Sequence, residues 1–146
     1  MKFKAKKGTL FLAITFGLTG LFLVFISYRI FSESSFNYEF FPSDLVLILV
    51  LILLFWILMS TKYELSDKYL FYQSGPIKGK IEIDKIREII VGKSLWAGLK
   101  PALATKGLII KYNKYDEIYI SPESNELFVQ KIKEINPGIN IIEENK

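Results

Sequence analysis

At 146 residues, the chain has room for one soluble domain once its longest apolar runs are set aside. Hydrophobic residues make up 51% of it, and most of the excess lies before Thr61. The formal net charge is +4, and there is no cysteine and no histidine, which excludes disulfides, thiolate chemistry, cysteine lipidation, structural zinc and a histidine general base.

The chain opens on four lysines, Lys2, Lys4, Lys6 and Lys7. From Leu10 to Tyr28 no residue is charged, and these nineteen residues as a helix would reach roughly 28 Å, close to the thickness of a bilayer's hydrocarbon core, so a span over about 9–28 is expected. A cleaved signal peptide is the rival reading. The run is long for one, and Ile26-Ser27-Tyr28-Arg29 lacks the small-x-small pattern of a cleavage site. Leu45 to Met59 is a second apolar run, which its flanks extend to a helix over about 43–61. Ser43 stands at the N-cap position with Asp44 in the first turn. The segment is apolar on every face, and the rest of so short a chain cannot surround it, so a membrane helix is expected. In the first span, Ala13, Gly17 and Gly20 share a face, which is expected to pack on the second helix.

The lysines before the first run, together with Lys62 and Lys68 after the second, outweigh the single Arg29 of the intervening loop. This bias predicts an inner-membrane protein with both termini and the soluble part cytoplasmic. Tyr28, Tyr38, Phe40 and Phe41 would then line the outer interface, and Trp56 and Tyr63 the inner one. No charge lies within either run, which argues against an ion or proton path.

After Thr61 the apolar period becomes two. Tyr63 and Leu65 flank Glu64, and a turn at Ser66-Asp67-Lys68 leads into the strand-like Tyr69–Gln73, which Ser74-Gly75-Pro76 ends. Lys80–Ile83 alternates, Ile86–Val91 is β-branched up to Gly92, and Leu108–Tyr112 and Glu117–Ile120 flank a turn at 113–116. These are six antiparallel strands. Ser121-Pro122-Glu123 reads as a helix start, and Leu127, Phe128, Ile132 and Ile135 recur at helical spacing up to Asn136-Pro137-Gly138. Ile139–Ile142 suits a last edge strand or a segment lying along the sheet.

Particular residues in this order resemble a known family. Tyr63-x-Leu65, Ser74-Gly75-Pro76, Ile83-x-x-Ile86-x-x-Ile89, Ser94, Pro101-Ala102-Leu103-Ala104, Leu108-x-Ile110-x-Tyr112 and Ile120-Ser121-Pro122, with Phe128, Ile132 and Asn136-Pro137, look like the YyaB-like bacterial PH (pleckstrin-homology-like) domain family. The likeness covers roughly residues 62–138. It implies a mostly β, PH-like barrel of antiparallel strands closed by one C-terminal helix, commonly joined to membrane spans, with no established activity. The six legible strands are one fewer than the PH pattern. The expected architecture is a membrane helical hairpin in residues 1–61 and a PH-like domain in residues 62–146.

The carboxylates of this region sit in turns or on the polar side of alternating strands, and no nucleophile motif or phosphate loop occurs, so an enzyme is not expected. No cofactor or metal is implied. From Lys62 to Lys146 fourteen Lys/Arg face twelve Asp/Glu, too even a balance for nucleic acid. Eukaryotic PH domains that bind phosphoinositides place basic residues in the first hairpin loop, and here Ser66-Asp67-Lys68 carries one. The segment Leu95–Ala104 is apolar and lacks alternation. It reads either as a packed loop at a barrel end or as a contact surface for a protein or the bilayer interface. The candidate contact residues are Lys93, Leu95, Trp96, Leu99, Lys100 and Lys106. The function expected is a membrane-anchored interaction or assembly module with a protein partner or its own copies. The alternatives are a sensor of anionic lipid headgroups and an accessory subunit acting through its spans.

Overall fold

The computed structural model describes residues 1–32, 42–95 and 97–143. Tyr38, Phe40, Phe41 and Trp96 lie outside the described residues. In chain order the elements are β1 (Lys2–Lys4), α1 (Thr9–Ser32), α2 (Pro42–Ser60), β2 (Lys62–Leu65), β3 (Tyr69–Ser74), β4 (Ile77–Glu82), β5 (Ile86–Val91), β6 (Leu108–Tyr112), β7 (Asp116–Ile120), α3 (Asn125–Ile135) and β8 (Asn140–Glu143).

The helices α1 and α2 lie antiparallel. Arg29 near the end of α1 holds Asp44 at the start of α2 at 2.9 Å, and Phe16 meets Phe55 edge to face with centroids 6.0 Å apart. Thr9–Phe31 is long and apolar enough to cross a membrane, whereas the apolar stretch of α2, Asp44–Ser60, is shorter. Within the first stretch only Thr15 and Phe22 are buried, so it is not a core helix wrapped by protein. Large apolar side chains such as Leu21, Val24, Val46 and Ile52 are exposed along both helices.

The face of α1 turned to α2 is not the one the small residues mark. Thr15 and Phe22 are buried, while Ala13, Gly17 and Gly20 are exposed, and a Cβ added at Gly17 or Gly20 would meet open space. The reason lies in the arrangement of larger groups. Thr15, Thr19, Phe22, Ile26 and Arg29 recur at helical spacing, and Arg29 at the end of that row pairs with Asp44.

Among the described residues eight strands form two four-stranded sheets, in the orders β1-β2-β3-β4 and β7-β6-β5-β8. Neighbouring strands are antiparallel except β5 and β8, which run parallel. This is a mostly β, PH-like domain with a C-terminal helix, and the hairpins fall at the turns read from the sequence. The final stretch is the edge strand β8.

A strand that the sequence conceals lies at the other end of the chain. Residues 2–4, read above as a basic flank, form β1 and pair in the register Lys2↔Glu64, Phe3↔Tyr63 and Lys4↔Lys62. The sheet therefore draws on chain from both sides of the helices. Three residues with one apolar side chain show too little alternation to be read as a strand. Phe3 is nonetheless buried, with its ring 5.1 Å from that of Phe128 on α3.

The core joins both sheets through Tyr63, Leu70, Ile83, Ile89, Leu108, Ile110, Ile118 and Ile120, and α3 covers it with Phe128 and Ile132. The start of α3 also differs from expectation. Its N-cap is Ser124, whose side chain accepts from the Leu127 amide, and the helix begins at Asn125. Ser121 is engaged elsewhere, and Pro122 bridges Ala5.

Candidate functional site

Ser121 lies just past the end of β7 and is 1% exposed. Its hydroxyl accepts from the amides of Leu103 (3.1 Å) and Ala104 (3.3 Å), and its carbonyl accepts from the Lys6 amide at 2.7 Å. Its own amide donates to the Tyr63 hydroxyl at 3.1 Å, and that hydroxyl donates to the Pro101 carbonyl at 2.6 Å. Burial pushes the Tyr63 phenol up to about 12, so it remains a neutral donor across ordinary pH. One serine and one tyrosine thus tie β2, β7, the 101–104 segment and the chain leading into α1 into a single junction.

A second tyrosine extends it. The Tyr119 hydroxyl donates to the Ala104 carbonyl at 2.8 Å and accepts from the Gly107 amide at 2.8 Å, while the Tyr119 amide donates to the Leu99 carbonyl at 2.9 Å. Pro101-Ala102-Leu103-Ala104 and Ile120-Ser121-Pro122, the segments that carry the family resemblance most visibly, are therefore partners in one structural joint.

The first turn of α1 docks beside this joint. The Gly8 amide donates to the Leu103 carbonyl at 3.1 Å. A Cβ at Gly8 would collide with that carbonyl oxygen and crowd Ala104, so glycine permits the close approach. Between the helix start and the loop lies a groove of about 600 Å³. Thr9, Leu10 and Phe11 form one wall, and Leu95, Ala102 and Leu103 belong to the other, with Lys100 and Tyr119 also on the lining. The walls are mostly apolar and the mouth is open.

The sequence-derived contact residues divide on this geometry. Leu95 and Lys100 line the groove. Leu99 is half-buried and packs against the core, with a parallel bridge to Ile118. Lys93 and Lys106 are exposed and lie off the groove. Lys106 has φ +55°, its amide donates to Ser94 and its carbonyl accepts from Asn125. Trp96 is outside the described residues. The helix wall, Gly8–Phe11, was not foreseen. A loop 90 residues away has no sequence signal pointing to it, except that a glycine stands just before the apolar run.

The family model of the bacterial PH domain matches residues 61–136. The chain belongs to that family. It is also 30% identical over 95 residues to the uncharacterized protein YyaB of Bacillus subtilis (strain 168), covering 64% of this chain and 65% of that protein. The chain thus spans a little under two thirds of this relative's length. PH domains are typically non-catalytic interaction modules. In this PH domain the family match runs from the end of α2 to the end of α3. Strands β1 and β8, which complete the two sheets, lie outside it.

Proposed function

We propose that the chain is a membrane-anchored PH-like module for assembly, holding a protein partner or a second copy of itself at the cytoplasmic leaflet. The groove between α1 and the 94–105 loop carries this reading. It is large, apolar and open, and it sits where the helices join the domain, so a bound partner would be held beside the bilayer. The exposed apolar surface of α1 and α2 supports their placement in lipid. The pairing of Lys4 with Lys62 supports a segment before α1 on the same side as the domain, and the lysines there favour the cytoplasm.

Ala102→Trp fills the groove from an accessible wall. The full chain, purified in mild detergent, should lose its co-purifying copy or partner while its melting temperature stays close to that of the wild type. Unchanged association in the filled variant would refute the groove as the contact surface.

A further inference from the structure

Outside the groove, the outer face of the first sheet has a composition unlike the rest of the domain. Two rows cross it in register. One runs Lys4–Lys62–Gln73–Lys78 and the next Lys2–Glu64–Phe71–Lys80, with every member at an outward position of its strand. Within these two rows five lysines meet one carboxylate, and in the row beyond them Glu82, opposite Tyr69, is paired with Lys85. Elsewhere in residues 62–146 eleven Lys/Arg balance eleven Asp/Glu, so the domain's excess charge is concentrated here. Among the described residues none of the five lysines makes an ion pair, while Lys85, Lys111 and Lys131 each do. Lys80 instead lies over the Tyr69 ring at 4.7 Å. A depression of about 440 Å³ on this face is lined by Lys2, Lys62, Phe71, Lys78 and Lys80.

The rows have a fixed distance from the helices. Lys62 follows the end of α2 at Ser60 by two positions, and Lys4 precedes the start of α1 by five. The β3–β4 turn is pinned to α2, since the Gly75 amide donates to the Ser60 hydroxyl at 2.7 Å. Lys78 is three residues beyond that turn glycine. The second row stands about 7 Å further along the strands. If the helices enter the bilayer, the first row lies at the headgroup level and the second within about one Debye length, roughly 8 Å, of it.

We infer that this basic sheet face docks on the anionic phospholipids of the leaflet from which the helices emerge, and so sets the tilt of the domain against the membrane. The inference rests on the membrane-anchored reading and is independent of the groove. An acidic protein would also suit the charge, but the closeness of the lysine rows to the helix ends favours lipid. Phe71, exposed among the lysines, adds an apolar contact suited to the interfacial region.

The test uses the full chain in nanodiscs of phosphatidylcholine, alone or mixed with phosphatidylglycerol, with lysine acetylation rates read by mass spectrometry. Retention in the disc after an alkaline carbonate wash scores the anchor first, and a chain that leaves the disc overturns both the anchor and the face. For a retained chain, Lys62, Lys78 and Lys80 should react several-fold more slowly in the anionic discs. Lys114, in the β6–β7 turn, should be unaffected. The protection should disappear near 1 M salt, where the Debye length falls to about 3 Å. Lys78→Glu with Lys80→Glu, both at exposed positions, should restore the reactivity of Lys62. Equal rates in the two disc types overturn the proposal, as does protection that appears only when a soluble polyglutamate is added to the zwitterionic discs.

Discussion

The Tyr63 phenol is 1% exposed, donates to the Pro101 carbonyl and accepts from the Ser121 amide, so its ring cannot lose its oxygen without orphaning two buried backbone groups. Tyr63→Phe should destabilise the full chain by about 1–3 kcal/mol, measurable by thermal or chemical melting. The tyrosine also predicts an alkaline limit. Its folded value is raised to about 12 from an ordinary 10, so its contribution is complete below pH 10 and is lost as the pH climbs from there towards about 12. The loss at the upper end is roughly 2–3 kcal/mol from this group. Melting curves between pH 8 and 12 should fall more steeply for the wild type than for Tyr63→Phe. Parallel curves would mean that the phenol ionises as readily in the fold as in the unfolded chain. From sequence, Tyr63 appears as an alternating strand residue and an aromatic of the inner interface, whereas the structure buries it in the core of the domain, and Ser121 appears as a helix cap. Their shared joint was illegible because a hydrogen bond between residues 58 positions apart leaves no local pattern, and Ser121 resembled a cap since serine before proline serves either role.

Among the elements, β1 has the largest effect for its length. Phe3 is the one side chain it places in the core, against Phe128, and it closes the first sheet beside β2. Phe3→Ala should cost about 3–5 kcal/mol of stability, as other buried phenylalanine deletions do. Residues 62–146 produced alone should keep a β-rich circular dichroism spectrum but melt well below the full chain. A fragment as stable as the full chain would show that β1 only lies on a finished sheet. Strands β2 and β4 were legible from their alternation, and β3, β5, β6 and β7 from short aromatic or β-branched runs, with turns at Ser66-Asp67-Lys68, Gly75-Pro76 and Asn113 between them. The start of α3 at Ser124 instead of Ser121 reflects competition. The strand bridge at Pro122 and the amides of Leu103 and Ala104 occupy the earlier serine, and the next one caps the helix.

For the molecule as a whole, the chain passes between the helix pair and the sheets at one edge of the first sheet. β1 enters α1 and α2 leaves into β2, with the two strands hydrogen-bonded to each other. A reporter fused after residue 146 and one placed between α1 and α2 should therefore give opposite answers, the C-terminal one cytoplasmic. A C-terminal reporter that scores as external would reverse the topology and remove the inner-leaflet role. This connection also imposes an order on events during synthesis. Lys4 is made before both helices, yet its partner Lys62 emerges 58 positions later, after them. Strand β1 must wait unpaired while the helices are laid down, and the sheet can close only when they have returned the chain to its starting point. A helix pair that fails to pack antiparallel would leave β2 far from β1 and the core without Phe3. Completion of the apolar helices is thus a checkpoint for the PH domain, and a chain stalled before it would present an open sheet edge to the cell's proteases.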